Sequence, residues 1–141
     1  QHLWYLTGYV EEYKEVRTFG IDRINAVTLL EELYKDSETV GFDATAYFDH
    51  CLGVTTLDGK PEQVILSFSP QRGNYLKSKP LHASQQVIQD DEKEFRISLK
   101  LIVNYELKNL ILSYGPDVKV IEPTTLKKQV VLAMQDAINN Y

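Results

Sequence analysis

The sequence predicts an α+β protein whose two parts are organised differently. Over the first third of the 141 residues, short β-branched and aromatic runs are separated by polar turns, which is typical of antiparallel strands. From residue 62 onward, strand patterns alternate with helix patterns. The content of 43% apolar and 25% charged residues is that of a folded globular chain, and the length is sufficient for a buried core.

The first part opens with a predicted β-hairpin. Residues 4–10 and 16–24 are rich in aromatic and β-branched side chains, and the polar residues 11–15 lie between them as a turn. Residues 26–30 are predicted to form a third strand that is short and buried. Because successive strand residues point to opposite faces, one face of the second strand should carry four alternate side chains. These are Arg17, Phe19, Ile21 and Arg23.

A short helix and a linker are predicted next. Asp43 is a favourable N-cap for a helix over residues 44–52, and Gly53 is the expected stop. Residues 55–61 contain an Asp-Gly pair and a proline, which is the composition of a linker. We therefore place the domain boundary in this segment, which gives a first domain over residues 1–56 and a second domain over residues 57–141.

The second part has the pattern of a ferredoxin-like domain. Its clearest strand covers residues 94–103, where polar side chains alternate strictly with apolar ones from Glu94 to Leu101, so that one face is covered and the other is in water. Asn104 and Pro123 lead into two helices with apolar stripes, and Gly115 with the proline after it ends the first helix. Strands are also predicted over residues 64–68, 84–89 and 118–121, with a short helix or turn over residues 72–79. The resulting order is βαββαβ with an additional C-terminal helix.

The charge distribution argues against a protein that grips duplex DNA over its whole surface. The net charge is −5, and residues 1–56 hold only four basic residues against ten acidic ones, whereas phosphate neutralisation supplies much of the affinity for DNA. Residues 69–82 contain no acid and carry a candidate secondary basic patch of Arg72, Lys77 and Lys79. The alternative is that these three cations line a solvated helix face.

The single cysteine limits the redox and metal chemistry of the chain. Cys51 excludes an intramolecular disulfide and a site with several thiolate ligands, and it fits a reducing, cytoplasmic compartment. His50 and Cys51 would point about 100° apart on a helix, so we expect a half-buried histidine and a core cysteine instead of a metal pair. No metal, cofactor or membrane span is expected, since the apolar runs are far shorter than the ~20 residues of a bilayer span. Because residue 1 is Gln and the only methionine is Met134, we expect the chain to be part of a longer protein.

Two sets of motifs resemble one known family. The first set resembles the second half of the WYL domain: Trp4-Tyr5-Leu6, Gly8-Tyr9, Arg17-Thr18-Phe19 and Asp22-Arg23-Ile24. The second set is similar to the WCX extension that usually trails a WYL domain: Phe68-Ser69-Pro70, Pro80-Leu81-His82, Ser84-Gln85, residues 113–118 and Glu122-Pro123. Together, these motifs cover nearly the whole chain.

The resemblance implies the C-terminal region of a bacterial transcriptional regulator. Members of the family carry an N-terminal winged helix-turn-helix, a WYL domain of SH3/Sm-like barrel type that is regarded as a ligand sensor, and a ferredoxin-like extension that helps to dimerise and to transmit the signal. The implied fold is therefore a partial SH3/Sm-like β-barrel of antiparallel strands followed by the ferredoxin-like domain. Duplex DNA would be contacted only through the N-terminal domain that this chain lacks. Gly20 stands where the family often has a further arginine.

The candidate ligand site consists of Tyr5, Arg17 and Arg23, which we expect to lie on one strand face. A guanidinium group binds phosphate through two parallel hydrogen bonds and stays charged at physiological pH, and Tyr5 could stack on a base. The resemblance implies an effector of nucleotide or single-stranded nucleic-acid type. In the alternative interpretation, Arg23 pairs with a nearby acid and Arg17 is solvated. Trp4 and Tyr5 then belong to the core.

Three functions are compatible with these patterns. The leading hypothesis is a non-catalytic, effector-sensing and homodimerisation region of a WYL-family regulator. The second is a purely structural dimerisation module without a ligand, in which exposed edge strands pair between chains. The third is an enzyme on a ferredoxin-like scaffold, which rests on fold analogy alone because the sequence contains no placed nucleophile, base or metal set.

Overall fold

The computed structural model describes residues 3–56 and 59–141 and contains two antiparallel sheets, which confirms the predicted α+β class. The chain divides into two compact units, Gln1–Asp49 and His50–Tyr141. The predicted linker includes Leu57 and Asp58, which lie outside the described residues, so the boundary between residues 56 and 57 stays a prediction. The elements follow in the order β1 (Tyr5–Val10), β2 (Glu15–Gly20), α1 (Ala44–Phe48), β3 (Glu62–Phe68), α2 (Pro70–Ser78), β4 (Gln86–Asp90), β5 (Phe95–Leu101), α3 (Tyr105–Ser113), β6 (Val118–Glu122) and α4 (Thr124–Ile138).

The first unit contains the predicted hairpin. β1 and β2 pair antiparallel, from Tyr5 opposite Gly20 to Val10 opposite Glu15. β2 ends at Gly20, and a 3-10 turn (Ile21–Arg23) follows where the sequence predicted a continuing strand. The residues that the structure describes form no closed barrel, and this sheet has two strands only.

The prediction of a third strand over residues 26–30 is wrong. These residues have no strand conformation and pair with neither β1 nor β2. Val27 and Leu29 are 86% and 97% exposed, so the run is not buried either. A strand needs a hydrogen-bonded neighbour and a covered apolar face, and an apolar run by itself supplies neither.

The short helix α1 begins where the sequence predicts. The Asp43 carboxylate accepts hydrogen bonds from the backbone amides of Thr45 and Ala46, as expected of an N-cap. The helix ends at Phe48, before the predicted end at residue 52. Two edge-to-face ring contacts, with centroids 5.1 and 4.8 Å apart, involve its Tyr47: one with Phe42, which precedes the helix, and one with Phe48.

The second unit is built on a four-stranded antiparallel sheet with the strand order β4-β5-β3-β6. Along the chain the elements run βαββαβ with α4 at the end, which confirms the predicted ferredoxin-like arrangement. β3 is central, with β5 on one side and β6 on the other. β4 and β6 are therefore the edge strands.

The core of the second unit lies between one sheet face and the helices α2, α3 and α4. Alternate residues of β5 are fully buried, as its strict alternation predicted, whereas Lys100 points to the other face and is exposed. Full burial stabilises each such apolar side chain by roughly 1.5–3 kcal/mol relative to exposure. The buried cluster contains Val64, Leu66, Phe68, Leu76, Phe95, Ile97, Leu99, Leu101, Leu107, Ile111, Val120, Leu126 and Val130.

The helix α2 starts earlier than the sequence analysis placed it. Pro70 is its first residue, and the Ser69 hydroxyl accepts a hydrogen bond from the backbone amide of Arg72 at 3.4 Å. Proline is favoured at the first helical position because its missing N–H would have no partner there. The Ser-Pro pair was therefore the signal for this start. α3 has Asn104 as its N-cap, as predicted.

Candidate functional site

The β1–β2 hairpin presents two different faces, because directly paired residues of an antiparallel ladder share a face. The tyrosine face consists of Tyr5, Thr7, Tyr9, Val16, Thr18 and Gly20, and the arginine face consists of Leu6, Gly8, Val10, Glu15, Arg17 and Phe19. Tyr5 pairs with Gly20, whereas Arg17 pairs with Gly8. The register therefore places Tyr5 and Arg17 on opposite faces, which corrects the expectation of one strand face bearing both.

Arg17 is engaged within its own hairpin. Its guanidinium pairs with the Glu15 carboxylate at an N–O distance of 2.5 Å, and its Cζ lies 3.7 Å from the centroid of the Tyr13 ring. Leu6 and Phe19 on the same face are 54% and 42% exposed. Arg17 is thus stacked and charge-paired at the surface, and its role as a phosphate ligand stays a prediction.

Arg23 lies on the tyrosine face. A Cβ atom built on Gly20 would lie 3.0 Å from Nε and 3.2 Å from Nη2 of Arg23, and 2.6 Å from Oδ1 of Asp22. Because Gly20 is paired with Tyr5, this guanidinium sits against the strand on the face that Tyr5 shares. Among the described residues Arg23 forms no ion pair. The structure therefore brings Tyr5 and Arg23 to one face, and the glycine at position 20 leaves the space that the arginine side chain occupies. The predicted shared face of Arg17 and Arg23 is wrong, because β2 ends at Gly20 and Arg23 belongs to the 3-10 turn that follows.

A second cation marks the other end of the tyrosine face. The Lys35 Nζ lies 5.7 Å from the centroid of the Tyr9 ring and 2.8 Å from a Glu11 carboxylate oxygen. The hydrogen bond to Glu11 raises the pKa of Lys35, so the lysine is charged at neutral pH. Tyr5 and Tyr9 are four residues apart, which is about 13 Å along a strand. A ligand that reaches both cations must therefore carry more than one anionic group.

Sequence reasoning missed Lys35 because it lies in an irregular loop 24 residues after Glu11. No local pattern connects such a residue with β1. Tyr13, which stacks on Arg17, lies in the polar turn between the two strands, where the sequence pattern predicts no site residue. An arginine four residues after a tyrosine across a tight turn is a spacing that brings the two together.

Residues 69–82 contain no acidic side chain, but the fold brings carboxylates from other parts of the chain next to them. Arg72 pairs with Asp117 at 2.9 Å, and Lys77 pairs with Asp90 at 2.5 Å. Lys79 follows the end of α2 and is exposed. An open cleft of about 280 Å³ beside Arg72 is lined by Ser69, Gln71, Arg72, Tyr75 and Asp117. Because two of the three cations of the secondary basic patch are neutralised by carboxylates, their contacts favour a structural role.

His50 and Cys51 take the positions that the sequence predicted, one half-buried and the other 6% exposed. Burial raises the pKa of the Cys51 thiol, and the nearby Glu106 carboxylate raises it further. A thiol of this kind is a poor nucleophile. No three His, Cys, Asp or Glu side chains in the described part of the chain are grouped to hold a metal ion. Within residues 3–56 and 59–141, no helix has the length and apolar character needed to cross a membrane.

The chain is therefore a ferredoxin-like α+β domain that follows a small β unit in the sequence. Residues 60–138, more than half of the chain, match the WCX domain family, and the chain belongs to this family. The matched residues begin two positions before β3 and run to the end of α4. Membership confirms the WCX part of the resemblance drawn from the sequence motifs, and it fits the C-terminal region of a transcriptional regulator.

Comparison with solved structures also gives a similarity over most of the chain. The chain is similar to proteasome accessory factor B/C (PafBC) of Arthrobacter aurescens, with 26% identity and a TM-score of 0.45. The similarity covers 97% of this chain and 20% of that one, so the chain spans about a fifth of the length of PafBC. No curated protein matches the chain.

Proposed function

We propose that the chain is the effector-sensing and homodimerisation region of a WYL-family transcriptional regulator of the bacterial cytoplasm. The observation that carries the proposal is membership of the WCX family over residues 60–138. The proposed role is non-catalytic: an effector shifts the arrangement of two protomers, and duplex DNA is bound by a helix-turn-helix outside this chain. A ligand shifts such an equilibrium only through the difference in its affinity for the two arrangements.

The proposed effector is a short single-stranded nucleic acid bound on the tyrosine face. Arg23 supplies a cation without an ion pair among the described residues, and Tyr5 supplies an aromatic ring that is 36% exposed. Lys35, which is ion-paired with Glu11, supplies a second cation at the far end of the face if a phosphate displaces that carboxylate. Stacking of a base on an aromatic ring contributes about 1–3 kcal/mol. Because the chain carries a net charge of −5, affinity for a polyanion must come from such placed groups.

A salt titration with a labelled oligothymidylate tests this site. Two phosphate contacts predict a slope of log K against log salt of about −1.4 for single-stranded DNA. Arg23→Ala removes one contact, so the slope should fall to about −0.7 and binding should weaken by roughly tenfold, the value of a lost charge-assisted hydrogen bond. Fluorescence anisotropy of the oligonucleotide measures both quantities.

The proposed site on the tyrosine face does not include Arg17, so Arg17→Ala is the matched control: it removes an arginine side chain from the opposite face of the hairpin. Binding should stay within about twofold of the unsubstituted chain. From the opposite face, Arg17 contributes only a long-range attraction to the oligonucleotide, and salt screens that attraction. Equal losses in the two variants would mean that the oligonucleotide responds to the charge of the hairpin and not to one face. Unchanged binding in both variants would show that the site assignment is wrong.

A dimerisation module without an effector is the second candidate. Both strands of the β1–β2 sheet are edge strands, and Leu6 and Phe19 are exposed beside them. Unpaired strand edges with apolar neighbours favour pairing between chains. Sedimentation velocity separates the candidates. A dimer that binds no oligonucleotide by anisotropy, and whose sedimentation coefficient does not change when oligonucleotide is added, favours the dimerisation module. A change of assembly on oligonucleotide binding favours the sensor.

A further inference from the structure

The second unit begins with an irregular segment, residues 50–55, which we call the joint segment. It has no helix or strand conformation. Backbone and side-chain groups between the end of β5 and the start of α3 hold it in place. The His50 carbonyl accepts a hydrogen bond from the Ile102 amide at 2.7 Å. The Asn104 Nδ2 donates to the carbonyl oxygens of Leu52 and Thr55 at 2.8 and 3.0 Å.

Glu106 makes the densest set of contacts to the joint segment. Its Oε1 accepts hydrogen bonds from the Val54 amide at 3.4 Å, the Thr55 amide at 3.1 Å and the Thr55 hydroxyl at 2.5 Å. The carboxylate belongs to the first turn of α3, where the helix dipole favours a negative charge. Gly53 passes directly over this side chain with φ at 76°, and a Cβ there would lie 2.7 Å from the Glu106 Cγ.

The closed position of the joint segment also carries a cost. The His50 Nδ1 and the Glu106 Oε2 are buried and have no hydrogen-bond partner among the described residues. A buried polar atom without a partner costs free energy, so an opening that exposes either atom to water recovers that cost. Cys51 and Leu52 supply apolar burial that favours closure, but no strand ladder adds to it. The free energy of closure is therefore a balance: hydrogen bonds and apolar burial favour the closed segment, and the two unpaired buried atoms oppose it.

We propose that the joint segment is a latch that opens while the sheet and helices of the second unit stay folded, and that Glu106 is the positioning residue that keeps it closed. The proposal rests on the proposed function for its biological use. In a sensor of that kind, the latch is the conformational step between residues 1–49, where the effector binds, and the ferredoxin-like domain. Opening releases the stretch of chain through which the two units are connected.

The only cysteine of the chain reports directly on this movement. Cys51 is shielded when the latch is closed, so its rate of reaction with a thiol reagent, relative to that of a short peptide of residues 48–54, measures the open population. The rate should be nearly independent of urea at low concentrations, because local opening exposes little surface. It should rise steeply only where circular dichroism shows global unfolding. A rate that follows the full slope of global unfolding from zero urea overturns the proposal.

Substitutions at the latch should increase the rate at zero urea. We expect an increase of at least about tenfold for Glu106→Ala and of about threefold for Glu106→Gln, which keeps an acceptor but loses the charge. Gly53→Ala should also accelerate labelling, since the added methyl group displaces the Glu106 side chain. Glu92→Ala is the control, because Glu92 is exposed in the β4–β5 turn, and its rate should change less than about twofold.

Two outcomes contradict the latch: unchanged labelling in Glu106→Ala and Gly53→Ala, or an acceleration that disappears when variants are compared at equal global stability. Glu106→Gln keeps the test usable if Glu106→Ala does not fold. The labelling experiment contains no nucleic acid. Failure of oligonucleotide binding would therefore remove the proposed effector and leave the latch standing, and the reverse also holds.

Discussion

At the scale of single residues, two glycines permit contacts that any side chain would block. At position 20, the missing Cβ lets the Arg23 guanidinium rest on the hairpin beside Tyr5. At position 73, inside α2, the missing Cβ lets the helix approach the ring of Phe95, with 2.5 Å between the built Cβ and the Cβ and Cγ of that residue. The first contact serves the candidate site and the second serves the core.

Gly73→Ala should destabilise the chain, although alanine is the better helix former. Alanine gains up to about 1 kcal/mol of helix propensity, but overpacking against a fully buried ring costs typically 1–3 kcal/mol. Because Phe95 is 0% exposed and cannot move away, we expect a net loss of about 1–2 kcal/mol in the free energy of unfolding, measured by urea titration. Asn74→Ala, one residue further along α2 and exposed, should be neutral or slightly stabilising. A stabilised Gly73→Ala variant would mean that α2 is free to shift.

Asn104 is the one buried polar residue of the described core, with 3% exposure. Its Oδ1 accepts a hydrogen bond from the Leu107 amide, and its Nδ2 donates to two carbonyl oxygens of the joint segment. Asn104→Ala should cost about 2–3 kcal/mol of unfolding free energy, roughly 1 kcal/mol from the lost N-cap and the rest from carbonyls left without donors. Asn104→Ser keeps a cap acceptor and should recover about 1 kcal/mol in the same measurement. Equal losses in both variants would argue against separate roles for the two ends of the amide.

At the scale of elements, the sequence predicted the features that depend on interactions between residues close in sequence. The strict alternation in β5 and the Asn104 and Asp43 caps were predicted correctly, because each depends on neighbours a few residues away. The strand over residues 26–30 and the shared face of Tyr5 and Arg17 were not. A strand depends on a partner distant in sequence, and the face of a side chain depends on hairpin register and on where the strand ends. Register could not be read from a five-residue turn alone.

The β4–β5 turn is an element whose stability should depend on pH. Hydrogen bonds from Gln89 and from the amides of Glu94 and Lys93 lower the pKa of Asp91. A hydrogen bond from the Ser67 hydroxyl, at 2.5 Å, lowers the pKa of Glu94, and pairing with Arg96 lowers it further. A carboxyl whose pKa is lower in the folded state stabilises it above the unfolded pKa, and this contribution is lost as the pH falls through the folded pKa.

The turn should therefore loosen below about pH 4, the ordinary range of a carboxyl pKa. Amide exchange measured by NMR should show the protection of Lys93 and Glu94 falling between about pH 4 and pH 2 faster than that of Ile97 in the middle of β5. Asp91→Asn should remove most of this pH dependence at the Lys93 amide. Uniform loss of protection across β4 and β5 would point to global acid unfolding instead of a response of the turn.

At the scale of the whole molecule, burial is distributed unequally between the two units. Within the described residues, every buried apolar side chain belongs to the second unit, from Cys51 to Val130. The apolar side chains of the first unit are largely exposed, among them Trp4 at 77% and Leu33 at 94%. Since burial of apolar surface is the main favourable term in folding, the second unit should account for nearly all of the stability.

A truncation series should show this division directly. Residues 50–141 should fold alone and melt within about 5 °C of the complete chain, because they keep the sheet, the helices and the joint segment. Residues 60–141 also lose the joint segment and its contacts with Asn104 and Glu106. They should melt about 5–15 °C lower, which corresponds to a loss of roughly 1–3 kcal/mol in a domain of this size. Calorimetry measures the three midpoints. If residues 50–141 gave no cooperative transition, the first unit would be required for folding, and its exposed apolar surface would need a different explanation.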